Sequence, residues 1–450
     1  MQTMNIILLS GGSGKRLWPL SNDIRSKQFI KIFRCSELKT AAGTGCSDNL
    51  ESMLQRIFRQ IKTVDPEAVV TIATSKSQIS AIHNQLGTVA GICAEPCRRD
   101  TFPAVALATA YLHDVRKVPE DEAVVVCPVD PFVEEDYFRT LKDMCSAAER
   151  GEKDLILMGI EPTYPSEKYG YIRPLLKEGK RYWGFTEKPV KEKAEEYIAS
   201  GALWNGGVFA YKLRYVLKKS RELLGTCSYD ALLEGYSALQ KISFDYAVAE
   251  QETEIEVLKY NGTWKDLGTW NTLTEAMEEN TVGDVRMDGT CSNVHAINEL
   301  DIPILIMGAK DLVVSASPEG ILVSDKEQSS YMKPFVDAID QRIMFAEKSW
   351  GSYRVLDVGK ESMTVKVTLN PGHRMNYHSH EKRDEIWNVI RGTGRVIVDG
   401  VERPVRPGDV IILPVGCRHT AIAGSELQMI EVQLGADISV ADKKKWPLHL

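Results

Sequence analysis

Three groups of residues in this 450-residue chain have the types and spacing to do chemistry. The first is Ser10-Gly11-Gly12-Ser13-Gly14-Lys15-Arg16, which directly follows the apolar run Met4-Asn5-Ile6-Ile7-Leu8-Leu9. Its glycines permit positive φ and bring bare backbone N–H groups close to a ligand, which suits a string of phosphates. Arg16 adds a planar, permanently charged fork for phosphate oxygens. The second is Asp130, delivered by Ala123-Val124-Val125-Val126-Cys127-Pro128 to the carboxyl end of a strand, where a carboxylate can hold Mg2+ against triphosphate oxygens. The same residue could start a turn before Pro131. The third is His378-Ser379-His380, Glu385 and His419, with glycines at 372, 392, 408 and 416. Two histidines at i and i+2 share one face of a strand. With a glutamate farther along and a third histidine on a returning strand, they can converge on one octahedral divalent metal such as Zn, Mn, Fe or Ni.

The elements that must position these groups are legible in outline. Met4–Leu9 and Ala123–Pro128 read as strands buried on both faces. Between them come a helix over Asn49–Ile61, a strand at Val69–Thr74, a helical stretch near Gln78–Leu86, a strand at Gly91–Pro96 and a helix from Thr101 to about Val115. Alternating strand and helix predicts a mainly parallel sheet with helices on both faces. Beyond about Thr281 the pattern changes to short β-rich segments punctuated by turn residues, which suggests a small solenoid or sandwich. From Trp350 onward strands and glycines dominate.

Bulk properties narrow the class. Hydrophobic and charged contents of 43% and 26% are those of a soluble globular protein, and 450 residues suggest two or three domains. A formal charge of −7 with no basic block argues against a nucleic-acid partner. Nine scattered cysteines without a C-x-x-C pair read as reduced thiols. No apolar run approaches the roughly 20 residues of a membrane span, and Met1-Gln2-Thr3-Met4 lacks a basic leader. A cytoplasmic protein with no membrane partner is expected.

The longer string Gly11-Gly12-Ser13-Gly14-x-Arg16-Leu17-Trp18-Pro19-Leu20-Ser21, followed by Ser26-Lys27-Gln28-Phe29, resembles the signature of sugar-1-phosphate nucleotidyltransferases, in particular mannose-1-phosphate guanylyltransferases. It is neither a P-loop nor a dinucleotide fingerprint. Further along, Tyr169-Gly170-Tyr171-Ile172, Phe185-Thr186-Glu187-Lys188-Pro189 and Trp204-Asn205-Gly206-Gly207 resemble that family's sugar-binding segments. Ser243-Phe244-Asp245-Tyr246 resembles a family helix start, capped by Ser243 or Asp245. Trp264-Lys265-Asp266-Leu267-Gly268-Thr269-Trp270 matches a segment whose acid is the second metal carboxylate.

The resemblance implies an α/β, Rossmann-like nucleotidyltransferase domain over 1–280, a short left-handed β-helix-like region over 281–344 and a cupin β-barrel over 345–450. It implies GTP and mannose 1-phosphate as substrates, GDP-mannose and pyrophosphate as products, and a homo-oligomer, a dimer. Leu9, Gly11, Gly12, Ser13, Gly14, Arg16, Glu95 and Asp100 would bind the nucleotide. Gly170, Glu187, Lys188 and Asn205 would bind the sugar phosphate, and Asp130 and Asp266 would bind Mg2+. Arg16, Lys27 and Lys188 would be catalytic. Two departures stand out: proline replaces the histidine usual after the first metal acid, at Pro131, and Asp100 replaces an asparagine near the base. A carboxylate only accepts hydrogen bonds, and guanine N1–H and N2–H are donors, so guanine stays compatible.

The histidine spacing is that of a cupin barrel. Trp350-Gly351-Ser352-Tyr353, Glu385-Ile386-Trp387 and Glu431-Val432-Gln433-Leu434-Gly435 resemble the type II mannose-6-phosphate isomerase domain. That domain's run of three histidines and its arginine-containing tail are absent here, so metal binding by His378, His380, Glu385 and His419 is expected rather than isomerisation. The open alternatives are another sugar 1-phosphate or nucleotide, a bifunctional isomerase, and a non-catalytic sensor of nucleotide sugars.

Overall fold

The computed structural model describes residues 3–12, 14–22, 24–34, 50–177, 180–253, 255–340 and 342–448; Ser13 and Asn49 lie outside them. The chain divides into two compact units, Met1–Ser13 with Lys27–Glu278, and Gly14–Ser26 with Glu279–Leu450. Among the described residues no helix is long and apolar enough to cross a membrane.

The first unit is built on a nine-stranded sheet. Strands Asn5–Ser10, Val69–Ser75, Gly91–Glu95 and Ala123–Pro128 pair in parallel, so their carboxyl ends share one edge. Alternate residues of these apolar strands enter two different cores. Ile6, Leu8, Val125 and Cys127 pack with Leu54, Ile57 and Ile61 of helix Met53–Val64 and Phe138 and Leu141 of helix Glu135–Arg150. Ile7, Val124 and Val126 pack with Phe102 and Val105 of helix Thr101–Asp114 and Val216 of helix Leu213–Leu224. Continuous hydrophobic runs are what a strand covered on both faces requires.

The sheet is mixed rather than mainly parallel. Leu203–Lys212 runs antiparallel to Ala123–Pro128, Leu155–Ile160 and Tyr171–Lys177, and Tyr171–Lys177 forms a hairpin with Lys180–Thr186. Tyr171–Lys177 returns directly into Lys180–Thr186 with no helix between them, and a direct return can only be antiparallel, since a parallel one needs a long crossover. A second correction concerns the helix expected from Asn49. Leu50–Ser52 is a strand paired with Lys31–Arg34, and the helix begins at Met53. The Ser52 side chain accepts from Gln55 N–H while the Gln55 side chain returns to Ser52 N–H, a capping box that sets the start.

In the second unit, Thr281–Val282, His295–Asn298 and Leu312–Ser317 form one parallel ladder and Val285–Met287 with Ile304–Ile306 another. Gly320–Asp325 closes the first ladder antiparallel. The Gly14–Ser26 segment is tied into this unit by polar contacts. The Arg25 guanidinium grips Glu299 through two bonds of 2.7 and 2.8 Å, Asn22 donates to Glu319 at 2.9 Å, and Lys15 pairs with Asp337 at 3.1 Å. Farther on, a six-stranded sheet from Phe345 to Leu434 and a five-stranded sheet that ends with Lys443–Lys445 enclose an apolar core around Trp387, Val396, Leu413 and Met429.

Candidate functional site

In the first unit two strand pairings assemble a cleft. Pro131–Val133 pairs with Trp264–Asp266, with Asp266 opposite Pro131, which brings Asp130 and Asp266 together from distant parts of the sequence. The Lys27 ammonium joins them, 2.9 Å from Asp130 Oδ2 and 3.6 Å from Asp266 Oδ1. The second pairing is that of Leu203–Lys212 with Leu155–Ile160, whose register shifts between Asn205 and Phe209. A bulge re-aims side chains, and Gly207, at φ 68°, supplies the left-handed residue this one uses. Asn205 N–H then donates to Gly170 C=O at 2.8 Å.

The result is a cavity of about 210 Å3 lined by Asp130, Asp266, Gly170, Glu187 and Asn205, together with Lys168, Tyr169, Asp245 and Trp264. Gly170 is required by space, since a Cβ there would lie 2.5 Å from Glu187 Oε2 and 2.7 Å from Phe185 Cζ. Lys188, at φ 44°, pairs its ammonium with Glu187 Oε1. Burial pulls the Lys188 pKa down, but Glu187 more than offsets this and leaves it raised. Burial lifts the Tyr169 phenol, and the charge of Asp266 lifts it further.

The nucleotide residues read from sequence occupy several places. Leu9 lies opposite Pro128 near the carboxyl edge of the sheet. Gly11 and Gly12 follow it, exposed, with Gly12 at φ 116° and its carbonyl accepting from Arg98 at 3.0 Å. Glu95 ends its strand and accepts from Tyr236 O–H at 2.7 Å; burial raises its pKa. Asp100 accepts from Thr101 N–H at 2.8 Å and caps the helix behind it. Gly14 and Arg16 stand on the 3-10 turn Gly14–Leu17 of the second unit, with Arg16 exposed.

In the second unit His378, His380, His419 and Glu385 converge, with ligand atoms within 4.8 Å of one another and all four residues buried. His378 lies directly opposite His419 in the five-stranded sheet, and Glu385 comes from the other sheet. Each imidazole Nδ1 faces a backbone carbonyl: His378 to Asn376 at 2.6 Å, His380 to Asp442 at 2.9 Å and His419 to Cys417 at 3.1 Å. A carbonyl only accepts, so Nδ1 carries the hydrogen and each Nε2 turns a lone pair inward. Burial, then the charge of Lys443, lowers the His378 pKa to about 2, which keeps that ring neutral.

His419 Nε2 is buried without a hydrogen-bond partner and lies 3.4 Å from Glu385 Oε2. Two lone pairs facing each other fit a cation between them, so the donor set suits a divalent transition metal. One cationic side chain already reaches the cluster: Arg383 donates to Glu385 Oε1 at 2.9 Å and to His380 Nε2 at 3.1 Å.

The nucleotidyl transferase family matches residues 5–282, and the cupin domain family matches residues 365–432. This chain belongs to the nucleotidyl transferase family. Across its length it is similar to a mannose-1-phosphate guanylyltransferase of Salmonella montevideo, 28% identical over 481 residues that cover 97% of both chains. A protein of the same description from Escherichia coli strain K12 is 29% identical over 483 residues, covering 97% of this chain and 96% of the relative. A solved structure from Thermus thermophilus, described as a mannose-1-phosphate geranyltransferase, superimposes with a TM-score of 0.60 at 28% identity, over 75% of this chain and 99% of that one.

Several residues of this nucleotidyl transferase escaped the sequence reading. Lys168 lines the cavity just before the Tyr169-Gly170 segment read as sugar-binding, and its adjacency to that segment was the available signal. Asp245 also lines it, while Ser243 alone caps the helix, its side chain accepting from Tyr246 N–H at 3.3 Å. In the cupin, Arg383 and Glu431 lie in stretches that resemble the isomerase domain but were assigned no role; Arg383 stands at the i, i+2 spacing from Glu385 that would have placed it on the same face. Glu431 is buried, and burial together with the charge of Glu385 raises its pKa to about 8.

Proposed function

We propose that this nucleotidyl transferase joins GTP and mannose 1-phosphate into GDP-mannose with release of pyrophosphate. The observation that supports this most is one cavity shared by Asp130 and Asp266, the two acids that Lys27 pairs with, and the wall of Gly170, Glu187 and Asn205. A sugar-phosphate oxygen attacks the nucleotide α-phosphorus in line, the bond between the α- and β-phosphates breaks, and pyrophosphate leaves. Such a transfer asks the protein mainly for positioning and charge neutralisation.

Asp130 and Asp266 offer hard oxygen ligands and would hold Mg2+. The ion, when bound, supplies neutralisation of phosphate charge. Lys27 is the ammonium that exchanges its aspartates for pyrophosphate oxygens. Lys188 holds the attacking phosphate, and Glu187 and Asn205 hold the hexose. Leu9 and the loop amides of Gly11 and Gly12 cradle the triphosphate, and Arg16 carries charge for the pyrophosphate that leaves. Glu95 and Asp100 accept from the base.

A panel of GTP, ATP, UTP and dTTP against mannose, glucose and heptose 1-phosphates, read by pyrophosphate release, tests the substrate pair; preference for another pair replaces it. Arg16→Ala is expected to lower turnover about 10²-fold. An unchanged rate removes Arg16 from the mechanism.

For the cupin we propose a divalent transition-metal centre held by His378, His380, Glu385 and His419, supported by the inward lone pairs. Elemental analysis of protein loaded with Zn2+ or Mn2+ is expected to find one ion per chain. Conversion of mannose 6-phosphate to fructose 6-phosphate would add isomerase activity to that centre. The dimer and the cytoplasmic location belong to the same proposal, and size-exclusion chromatography with light scattering checks the dimer.

A further inference from the structure

One carboxylate on the cavity wall is accounted for by neither the phosphates nor a metal. Asp245 lies in the short helix Phe244–Ala247, whose side-chain cap is Ser243 and not Asp245. Asp245 faces the cavity with Glu187, Asn205 and Gly170 and accepts from Asn205 Nδ2 at 2.6 Å. Asn205 Oδ1 accepts from Gly207 N–H at 3.2 Å. These two bonds fix the amide. Turned over, it would set its oxygen against a carboxylate and its NH2 against an N–H.

Keeping Asp245 here costs stability. Burial, then the charge of Glu187, pushes its pKa up to about 6, against the opposing bond from Asn205 and the charge of Lys188. Two neighbouring carboxylates in a half-buried wall repel each other, and perturbed acids in clefts mark ligand sites. Ionised carboxylates accept and never donate, and they repel phosphate. They therefore suit the neutral, hydroxyl-bearing face of a sugar phosphate, where adjacent hydroxyls present donors at the spacing of one ring.

We propose that Asp245 is a sugar-recognition residue, accepting a hydrogen bond from one hexose ring hydroxyl while it holds the Asn205 amide as a donor to the same ring. This rests on the hexose 1-phosphate reading above and adds to it a contact and an orienting role that reading does not contain.

The test is steady-state kinetics of the full chain with GTP and either mannose 1-phosphate or its 2-, 3-, 4- and 6-deoxy analogues, for the wild type, Asp245→Asn and Asp245→Ala. Both substitutions are expected to raise KM for mannose 1-phosphate about tenfold or more and to leave KM for GTP within about twofold, as loss of a charge-assisted bond does. One deoxy position, costly in the wild type, should cost less than about threefold in Asp245→Ala, because the acceptor it missed is gone. Asp245→Asn keeps the side-chain shape and, with circular dichroism, separates misfolding from lost recognition. If the wild type is active and its full pattern of deoxy penalties survives in both variants, Asp245 is structural and the inference falls alone. A wild type that makes no pyrophosphate from GTP and mannose 1-phosphate overturns the parent reading, and this inference with it.

Discussion

Both candidate metal-binding clusters hold a cationic side chain among their acids, and they hold it differently. In the first unit Lys27 reaches Asp130 and Asp266, whose side chains are 39% and 38% exposed. In the cupin Arg383, 7% exposed, lies against Glu385, 2% exposed. The lysine is a compact point charge on a flexible stem, whereas the arginine is a rigid fork. An ion pair in contact with water contributes little and is cheap to exchange. A buried pair is costly to break from one side, because the remaining charge has no water to turn to. The wet cluster suits a site that trades phosphates and a hard cation at every turnover. The dry one suits a centre that is assembled once.

The largest expected effect tests the wet cluster. Asp130→Ala combined with Asp266→Ala should lower Mg2+-dependent pyrophosphate release by about 10³-fold, with the circular dichroism spectrum unchanged. A rate retained at ordinary Mg2+ would show that the two acids are surface residues and would break the comparison. The next concerns the dry cluster. Arg383→Met leaves Glu385 uncompensated and should destabilise the cupin by about 3 kcal/mol in metal-free protein, as read by urea unfolding. Added Zn2+ or Mn2+ should restore much of the loss by mass action. Stability unchanged by the substitution would place the pair with the surface kind.

The smallest effect is a pH dependence in the second unit. His295 is buried, and its Nδ1 faces the Lys326 ammonium at 2.8 Å. Burial, then the lysine charge, lowers its pKa to about 4 from the ordinary 6.5. As pH falls from 6.5 to 4 the unfolded chain takes up a proton that the folded chain refuses, so this contribution to stability is present at neutral pH and lost on acidification. His295→Gln, which keeps an acceptor for Lys326, should flatten the fall in melting temperature between pH 7 and pH 4.5 by roughly 2–4 °C. An unaltered slope would assign the acid lability to other groups.

What the sequence determined by itself was local. The strands Ala123–Pro128 and Leu155–Ile160 stand where the apolar runs lie, because a strand covered on both faces is written as an unbroken hydrophobic stretch. The helix from Thr101 was equally legible from its own periodicity, and His378, His380, Glu385 and His419 from a pattern of residue types and glycines that spans both sheets of the barrel. The tertiary structure decided what meets across the chain: Asp266 beside Asp130 through a three-residue ladder, Lys27 between them, Asp245 on Asn205, and Arg383 against His380. It also turned half of an expected parallel sheet antiparallel. Periodicity and caps encode which face of an element is buried. Which distant side chain lies opposite is set by strand register and by the packing of whole faces, and those are properties of the assembled fold.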